Sequence, residues 1–577
     1  MKIYNWRPFL ERWSADWIDS PGAEGREDTA EEIVRARWLG FAPADGERIA
    51  ALEERLGVEL PPSYRSFLAV TDGWRPAGTA VGSLGTVDGV HWYKGAELQE
   101  SYESALDEES SDDEVVRAGM WGRALQLSVV SDATDLLLDP GDVDADGEWA
   151  AYLHRAGSGE LPVRYASFLD LMQALFREFH RRDAGPEFVN ATTRELDAAV
   201  EEARVACLAG DDIDAQLDVF EDAAEHGRPG AGGFRDELTA LLDGRPVGGG
   251  GGLLPYEPDG PFRRAVDTAR EQARWGDTDV AWRTLATALG TWEPYGTERI
   301  APVGLLADPI LGPVITPARG RYVLETPRGG GQGRGQGRGE GDGLGGGRWD
   351  AAGLVSREIG LTWLADHAEQ ADDYRFVLVR DVSPEEVAAR VGEGPLLPSS
   401  DEADVQRRSL GAGGRPVVRV GSAGEGWSFA YGTVLEPFRS GRLDDPGERA
   451  SRGTEAVTIW VERGDTSAGR PGVFYFSRAE DGERVYGFAV RGDEIEEWGE
   501  VPEALDPEEL FPGAEVPEES GEYGESEEGP APVALDVDDE YEALDAITGT
   551  FGVALPQLAL RRGRLPAVTT GPWIAAR

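Results

Sequence analysis

The sequence predicts a multidomain α+β protein, and three observations carry that expectation. The chain has 577 residues, too long for a single core and suited to about two to four domains. Apolar residues recur at helical spacing over 1–40 and 190–295, while short β-rich runs divided by turn residues fill 354–560. A Gly-rich stretch at 328–348 separates these regions. With 40% hydrophobic residues, 17 Trp and 18 Phe, there is ample apolar surface for several cores.

In chain order, residues 1–40 place Trp6, Phe9, Leu10, Trp13 and Trp17 at helical spacing. The other face has no Lys/Arg cluster, so this helix is expected to pack on a domain and not on a membrane. The most informative run is 46–74. Ile49, Leu52 and Leu56 fall on one face of a short helix that Asp45 can cap and Gly57 can close. Leu60 leads into Pro61-Pro62, tolerated in a first helical turn. Tyr64, Phe67 and Leu68 then form the buried face of a second helix, and Asp72-Gly73 ends it as a turn. These residues predict a compact αα-corner, which by itself names no function.

The order and spacing of Leu52-Glu53, Leu56-Gly57, Leu60-Pro61, Tyr64, Phe67-Leu68 and Asp72-Gly73 resemble the Smi/Knr cell-wall-assembly-regulator family of the SUKH superfamily. That family usually carries Asn where this chain has Asp72. The runs from Leu136 to Trp149 and from Arg164 to Met172 also resemble it, so the likeness covers about 41–182. It implies a SUKH-like domain, N-terminal helices on a mainly antiparallel sheet, that binds another protein and has no catalytic, cofactor or metal residues. In bacteria such modules are mostly immunity proteins that neutralise toxins. The motif residues Leu52, Leu56, Gly57, Leu60, Pro61, Tyr64, Phe67, Leu68, Asp72 and Gly73 are then structural.

Within 41–182, Leu125 to Val130 reads as a strand, Leu136 to Leu138 as another, and Asp139-Pro140-Gly141 as a turn leading to a loop and a helix at Trp149. Tyr165, Phe168, Leu169, Met172, Leu175, Phe176 and Phe179 mark a closing amphipathic helix. The acidic run from Glu97 to Glu114 is expected to be a solvated, mobile insertion.

Residues 190–295 predict helical hairpins docked on a neighbour. Thr192 and Glu195 have capping-box spacing, and a weak repeat sets Gly210-Asp211 and Gly276-Asp277 at equivalent places. Gly248 to Gly252 reads as a flexible linker. The 328–348 stretch carries scattered Arg, but Glu340 and Asp342 interrupt it, so it reads as an interdomain linker. In 354–560, the runs Phe376–Val379, Val417–Val420, Trp427–Tyr431, Val457–Val461, Val473–Phe476 and Val485–Val490 predict strands, and Ser383-Pro384 starts a helix. The segments Val379–Gly392, Gly453–Trp460 and Gly499–Leu510 resemble an uncharacterised actinobacterial domain family with no assigned activity. Residues 515–532 are expected to be a disordered acidic insertion.

Chemistry-bearing constellations are missing from the sequence. His91, His154, His180, His226 and His367 have no ligand spacing, and Cys207 stands alone, excluding an intramolecular disulfide. No GxSxG elbow or GxxxxGK[ST] loop occurs. Asp142, Asp144 and Asp146 copy the start of an EF-hand loop, but its twelfth position is Leu153. No catalytic, cofactor or metal site is therefore expected. The net charge of −52 argues against nucleic-acid binding and suits a basic protein partner such as a toxin domain. No window has the ~18 apolar residues of a membrane helix, and the lone Cys with the absence of a secretory leader leads us to expect a cytoplasmic protein. A multidomain regulatory scaffold with no toxin partner is the alternative.

Overall fold

The computed structural model describes residues 4–20, 31–75, 83–94, 96–104, 111–130, 134–157, 161–184, 187–246, 260–294, 296–328, 360–367, 373–411, 415–434, 445–515, 533–571 and 573. The expected linkers at 248–252 and 329–348, and residues 516–532, lie outside these. The chain forms two compact units, 1–206 with 214–235, and 207–213 with 236–577. The helical segment 190–295 is therefore divided between two units and is not a body of its own. Both units mix helices with antiparallel sheet.

The first unit opens with helix α1 (Trp6–Ile18), followed by α2 (Glu31–Ala36), α3 (Gly46–Leu56) and α4 (Pro62–Leu68). Asp45 caps α3 by accepting from the Arg48 N–H, and Gly57 closes it at φ 75°, a left-handed conformation that a side chain would disfavour. Strands β1 (Ser83–Leu84) and β2 (His91–Trp92) precede α5 (Ala96–Glu103) and α6 (Asp112–Met120). Then come β3 (Leu125–Gln126), β4 (Ser128–Val130), β5 (Thr134–Val143), β6 (Trp149–Arg155), β7 (Val163–Tyr165), α7 (Phe168–Glu178) and a π-turn at Phe179–Ala184. The main sheet has the order β2-β3-β5-β6-β7, and β1 pairs with β4.

Strand alternation builds two cores here. Leu136, Leu138, Ala151 and Leu153 face the cluster made with α1, α3, α4 and α7, while Leu137, Ala150 and Tyr152 face Met120 and Trp121 on the other side.

Several sequence expectations change. Asp139-Pro140-Gly141 is an irregularity inside β5, not a turn, because the register shifts between Asp139 and Val143 and the reversal comes after Val143. Trp149 begins a strand, not a helix: its alternate neighbours are needed on two faces. The predicted strand 125–130 divides at Leu127 between two sheets. The acidic run 97–114 is not a solvated insertion where it is described. It contributes α5 and α6, and Leu98 and Tyr102 pack on the Trp121 cluster. Residues 105–110 of that run lie outside the described residues.

Helix α8 (Ala191–Ala209) follows. Its cap is Asn190, whose side chain accepts from the Thr193 N–H at 2.7 Å while Thr193 Oγ1 accepts from the Asn190 N–H at 2.8 Å. The predicted pair is used otherwise: Thr192 donates to Asp16 and Glu195 meets Arg12. Helix α9 (Ile213–Glu225) and α10 (Ala231–Asp243) follow.

In the second unit, α11 (Pro261–Arg274) and α12 (Thr278–Ala288) form the hairpin the sequence predicted around Gly276, and α13 (Gly304–Ala307) and α14 (Pro317–Glu325) extend it beyond 295. Arg328 is no part of a linker. It is buried and donates to the carbonyls of Ile300, Val323, Leu324 and Thr326, satisfying the open end of α14.

The remaining elements are β8 (Tyr374–Arg380), α15 (Pro384–Val391), β9 (Leu397–Ser400), α16 (Glu402–Gly411), β10 (Val417–Gly424), β11 (Trp427–Thr433), α17 (Pro446–Ala450), β12 (Glu455–Glu462), β13 (Val473–Glu480), β14 (Glu483–Arg491), β15 (Glu494–Trp498), α18 (Pro507–Leu510), α19 (Val537–Phe551), α20 (Gln557–Arg562) and β16 (Leu565–Thr569). They make a nine-stranded sheet, β15-β14-β13-β12-β8-β11-β10-β16-β9.

All six predicted strands are present. β9, β15 and β16 were not predicted, and β16 with the buried Trp573 carries the domain past 560. Both faces of the sheet are covered. Tyr374, Phe376 and Leu378 pack against α19 and α20, and Val377 and Val379 pack against α15 and α17. This explains why its strands read as near-continuous apolar runs.

Candidate functional site

The αα-corner is built from its caps inward. Glu53 accepts from the Leu60 N–H and from Arg65 Nε, each at 3.1 Å, which fixes the bend between α3 and α4. Asp72 is buried. Its Oδ1 accepts from the Val87 N–H at 2.7 Å and its Oδ2 pairs with Arg48 at 2.7 Å, while Arg48 also meets Asp88 at 2.8 Å. Ser63 gives its N–H (2.8 Å) and hydroxyl (2.5 Å) to Glu148, which also takes the Tyr4 hydroxyl at 2.9 Å. Leu52, Leu56, Leu60, Pro61, Tyr64, Phe67, Leu68, Asp72 and Gly73 are all buried, and only Gly57 is exposed. The motif is a closed core whose carboxylates are paired, and its one unpartnered side-chain polar group, the Tyr64 hydroxyl, is buried away from the surface.

On the other face of the sheet, sequence reasoning missed a polar cluster. Tyr93 donates to Asp135 Oδ2 at 3.1 Å, Gln126 Nε2 to Asp135 Oδ1 at 3.1 Å, and His154 Nδ1 lies 3.4 Å from Asp135 Oδ2. Burial and the Asp135 carboxylate push the Tyr93 phenol up to about 12. Trp121 stands edge-on to His154 at 4.8 Å and closes the cluster. No Ser, Thr or Cys shares these contacts and the Tyr93 phenol is kept protonated, so the arrangement holds the sheet's cover and presents no activated nucleophile. Of the EF-hand-like residues, Asp142 is taken by Arg164 (2.6 and 2.7 Å) and Tyr152 (2.9 Å), and Arg164 above all holds its carboxyl below the usual range. Asp144 accepts from the N–H groups of Asp146 and Glu148, closing the β5–β6 turn. Among the described residues, no group of three or more His, Cys, Asp or Glu is placed to hold a metal ion.

Compared with known families, residues 43–174 match the model of the SMI1 / KNR4 family (SUKH-1). This segment is a SUKH domain. No curated protein and no solved structure matches the chain. Domains of this kind are generally protein-interaction modules, and no described helix is long and apolar enough to cross a membrane.

The SUKH domain is extended by elements on either side of the matched segment. Trp6 donates to Ser63 O at 3.1 Å and packs on Phe67 and Phe168 with centroids 5.4 and 5.6 Å away, so α1 completes the SUKH core. At the other end, His180 Nδ1 donates to Phe176 O (3.0 Å) and its Nε2 accepts from the Asn190 amide (3.2 Å), with Asp16 Oδ2 3.3 Å away. The His226 ring lies 5.6 Å from that of His180 and donates from Nδ1 to Asp222 O at 2.7 Å.

Burial pushes the His226 imidazole below its ordinary value of 6.5, against the pull of Asp222 and with a further lowering from His180 and Arg177. Below that ordinary value the unfolded chain takes up a proton that the folded chain refuses. Stability therefore falls as pH drops, by at most about 1.4 kcal/mol per pH unit. His226→Gln is expected to lose this slope. Unfolding of both proteins between neutral pH and mildly acidic pH checks it, and a pH-independent difference between them would show that His226 is not held neutral.

In the second unit, a shallow depression of about 470 Å³ is lined by Asp277, Asp381, Ser422, Glu425, Trp427 and their neighbours. Glu425 (φ 48°) and Gly426 (φ 85°) form a two-residue hairpin turn that needs positive φ at both positions. Burial pushes the Asp277 carboxyl up, with the Ser422 hydroxyl opposing. No His, Cys or Lys lines the depression, and the bases beside Ser422 are carboxylates, Asp277 first among them, with no His to relay a proton. Cys207 is buried and its thiol is pushed up to about 11, which leaves it uncharged and unreactive at neutral pH.

Proposed function

We propose that this is a non-enzymatic protein-binding protein of the immunity type, which neutralises a toxin by covering a basic surface. The observation that carries this reading is the SUKH domain at 43–174. Two features support it. The titratable clusters described above are satisfied internally and lack an activated nucleophile. The net charge of −52 also favours encounter with a basic surface. A second reading, a regulatory scaffold without a toxin partner, is favoured by the extent of the chain outside the SUKH domain, including an entire nine-stranded sheet.

The test is capture of partners from the source cell, followed by association kinetics at several salt concentrations. Exposed charges are screened over about 8 Å at physiological ionic strength. The on-rate for a basic partner is expected to fall as salt rises, while the off-rate, set by packed contacts, changes less. An acidic partner, or an on-rate indifferent to salt, removes the electrostatic part of the reading. Turnover of a small molecule by the pure protein removes the rest.

A further inference from the structure

We propose that the outward face of α19 is a docking site for a basic, amphipathic protein segment, one that sets Lys or Arg side chains around an apolar row. The helix buries Glu540, Ala543, Leu544 and Ile547 on its inward face. On its outward face it leaves Val537 and Tyr541, one turn apart, 37% and 43% exposed, with Val533 just before them 49% exposed. Apolar side chains one turn apart form a single stripe. Among the described residues nothing covers that stripe.

Charge identifies the occupant. Asp538, Glu542 and Asp545 are exposed beside the stripe, and α18, which carries Glu508 and Glu509, packs against α19. The sequence has no Lys or Arg between 492 and 560. Elsewhere this chain neutralises its carboxylates with Arg: Glu455 meets Arg380 and Arg478, and Asp404 meets Arg564 and Arg407. In and around α19, on its other flank and on the neighbouring β15 as well, the relation is reversed and carboxylates adjoin carboxylates. The Asp539 carboxyl is held above its usual range by burial and then by Asp536, Glu542 and Asp538. The Glu497 carboxyl is held up by burial and then by Asp506 and Glu508. Carboxylates that repel one another around an uncovered apolar stripe are complementary to a cationic rim around an apolar ridge. Nucleic acid and anionic membranes carry the same sign as this face and are repelled.

The inference rests on the reading of a basic protein partner and adds the surface that takes it, in the second unit and outside the SUKH domain. The test uses the full chain. The probe is a synthetic Lys/Leu peptide with Leu at helical spacing, and a scrambled peptide of the same composition is the control. Val537→Ser with Tyr541→Ser, and separately Asp538→Asn with Glu542→Gln, should each weaken binding about tenfold or more. Glu47→Gln with Glu54→Gln, two exposed carboxylates on α3, should change it less than about twofold. All these side chains are exposed, so the melting curves should be unchanged, which keeps folding out of the comparison.

Equal losses in the α3 and α19 variants would mean bulk charge alone and would overturn the proposal. So would an unchanged affinity in the Val537/Tyr541 variant. If the whole chain captures a basic partner equally well with and without the α19 substitutions, the docking site falls while the reading of a basic partner stands. If no basic partner is captured although the peptide follows the expected pattern, the reading falls and the surface stands.

Discussion

Phe67→Ala should lower the stability of the first unit by about 3–5 kcal/mol, the range for removing an aromatic ring from a closed core. Phe67 has no exposed surface. Its ring meets Trp6 of α1 at 5.4 Å, Phe168 of α7 at 5.0 Å and Tyr64 of its own helix at 6.2 Å. Three elements therefore converge on one side chain. A cavity there cannot collapse by moving one of them without opening the contacts of the other two. Hydrogen exchange on the full chain checks this. Amides of α4 should lose protection while those of β8, in the other unit, keep theirs. Unchanged protection in α4 would mean that Phe67 is not where the three elements meet.

Glu540→Ala should have an effect of similar size in the second unit. Glu540 has no exposed surface. It accepts from Arg463 Nε at 3.2 Å and Nη2 at 3.1 Å, and from the Tyr374 hydroxyl at 3.0 Å. Burial, then Glu540, holds the Tyr374 phenol well above its usual value, so the phenol stays a donor. Truncation leaves the mostly buried Arg463 without this counter-charge and the phenol without its acceptor. Breaking such a pair from one side costs about 3–5 kcal/mol. Replacing both partners, Glu540→Leu with Arg463→Met, should recover most of the loss, because the uncompensated charge has gone. Denaturant unfolding of the three proteins decides. A double variant no better than Glu540→Ala would mean that Arg463 is held by its other contacts.

The helices were legible where a cap, an apolar period and a stop coincided. Asp45, the Ile49–Leu56 face and Gly57 did so for α3, and Ser383-Pro384 did so for α15. The central strands of the second unit were legible because both their faces are buried, which makes each one a near-continuous apolar run, broken only by buried polar residues such as Arg419, Ser428 and Thr458. The misreadings have one physical origin. Asp139-Pro140-Gly141 has turn composition, yet the strand pairing on either side keeps it extended, and Asp139 is drawn in to meet Arg123 at 2.6 Å. Asn190 displaced Thr192 as the cap because Thr192 was needed by Asp16, 176 residues away in sequence. Likewise the Tyr93–Asp135–His154 cluster and the His180–His226 pair gave no local signal. Their members meet only after the sheet and helices have formed, and spacing along a chain carries no trace of that.

The place of β16 sets an order in time. It lies between β10 and β9, and β9 has no other neighbour in the sheet. Arg564, just before β16, donates to Asp401, 163 residues earlier. At about 5–20 residues per second of synthesis, β9 waits roughly 8–30 s for the strand that anchors it. During that interval β10 is the growing sheet's outer strand, with Val417 and Val418 and a row of unpaired backbone groups open to whatever chain is nearby. A ribosome that stalls between Ser400 and Leu565 would therefore hold out a ready template for sticking to its neighbours, and faster passage through that stretch would shorten the exposure.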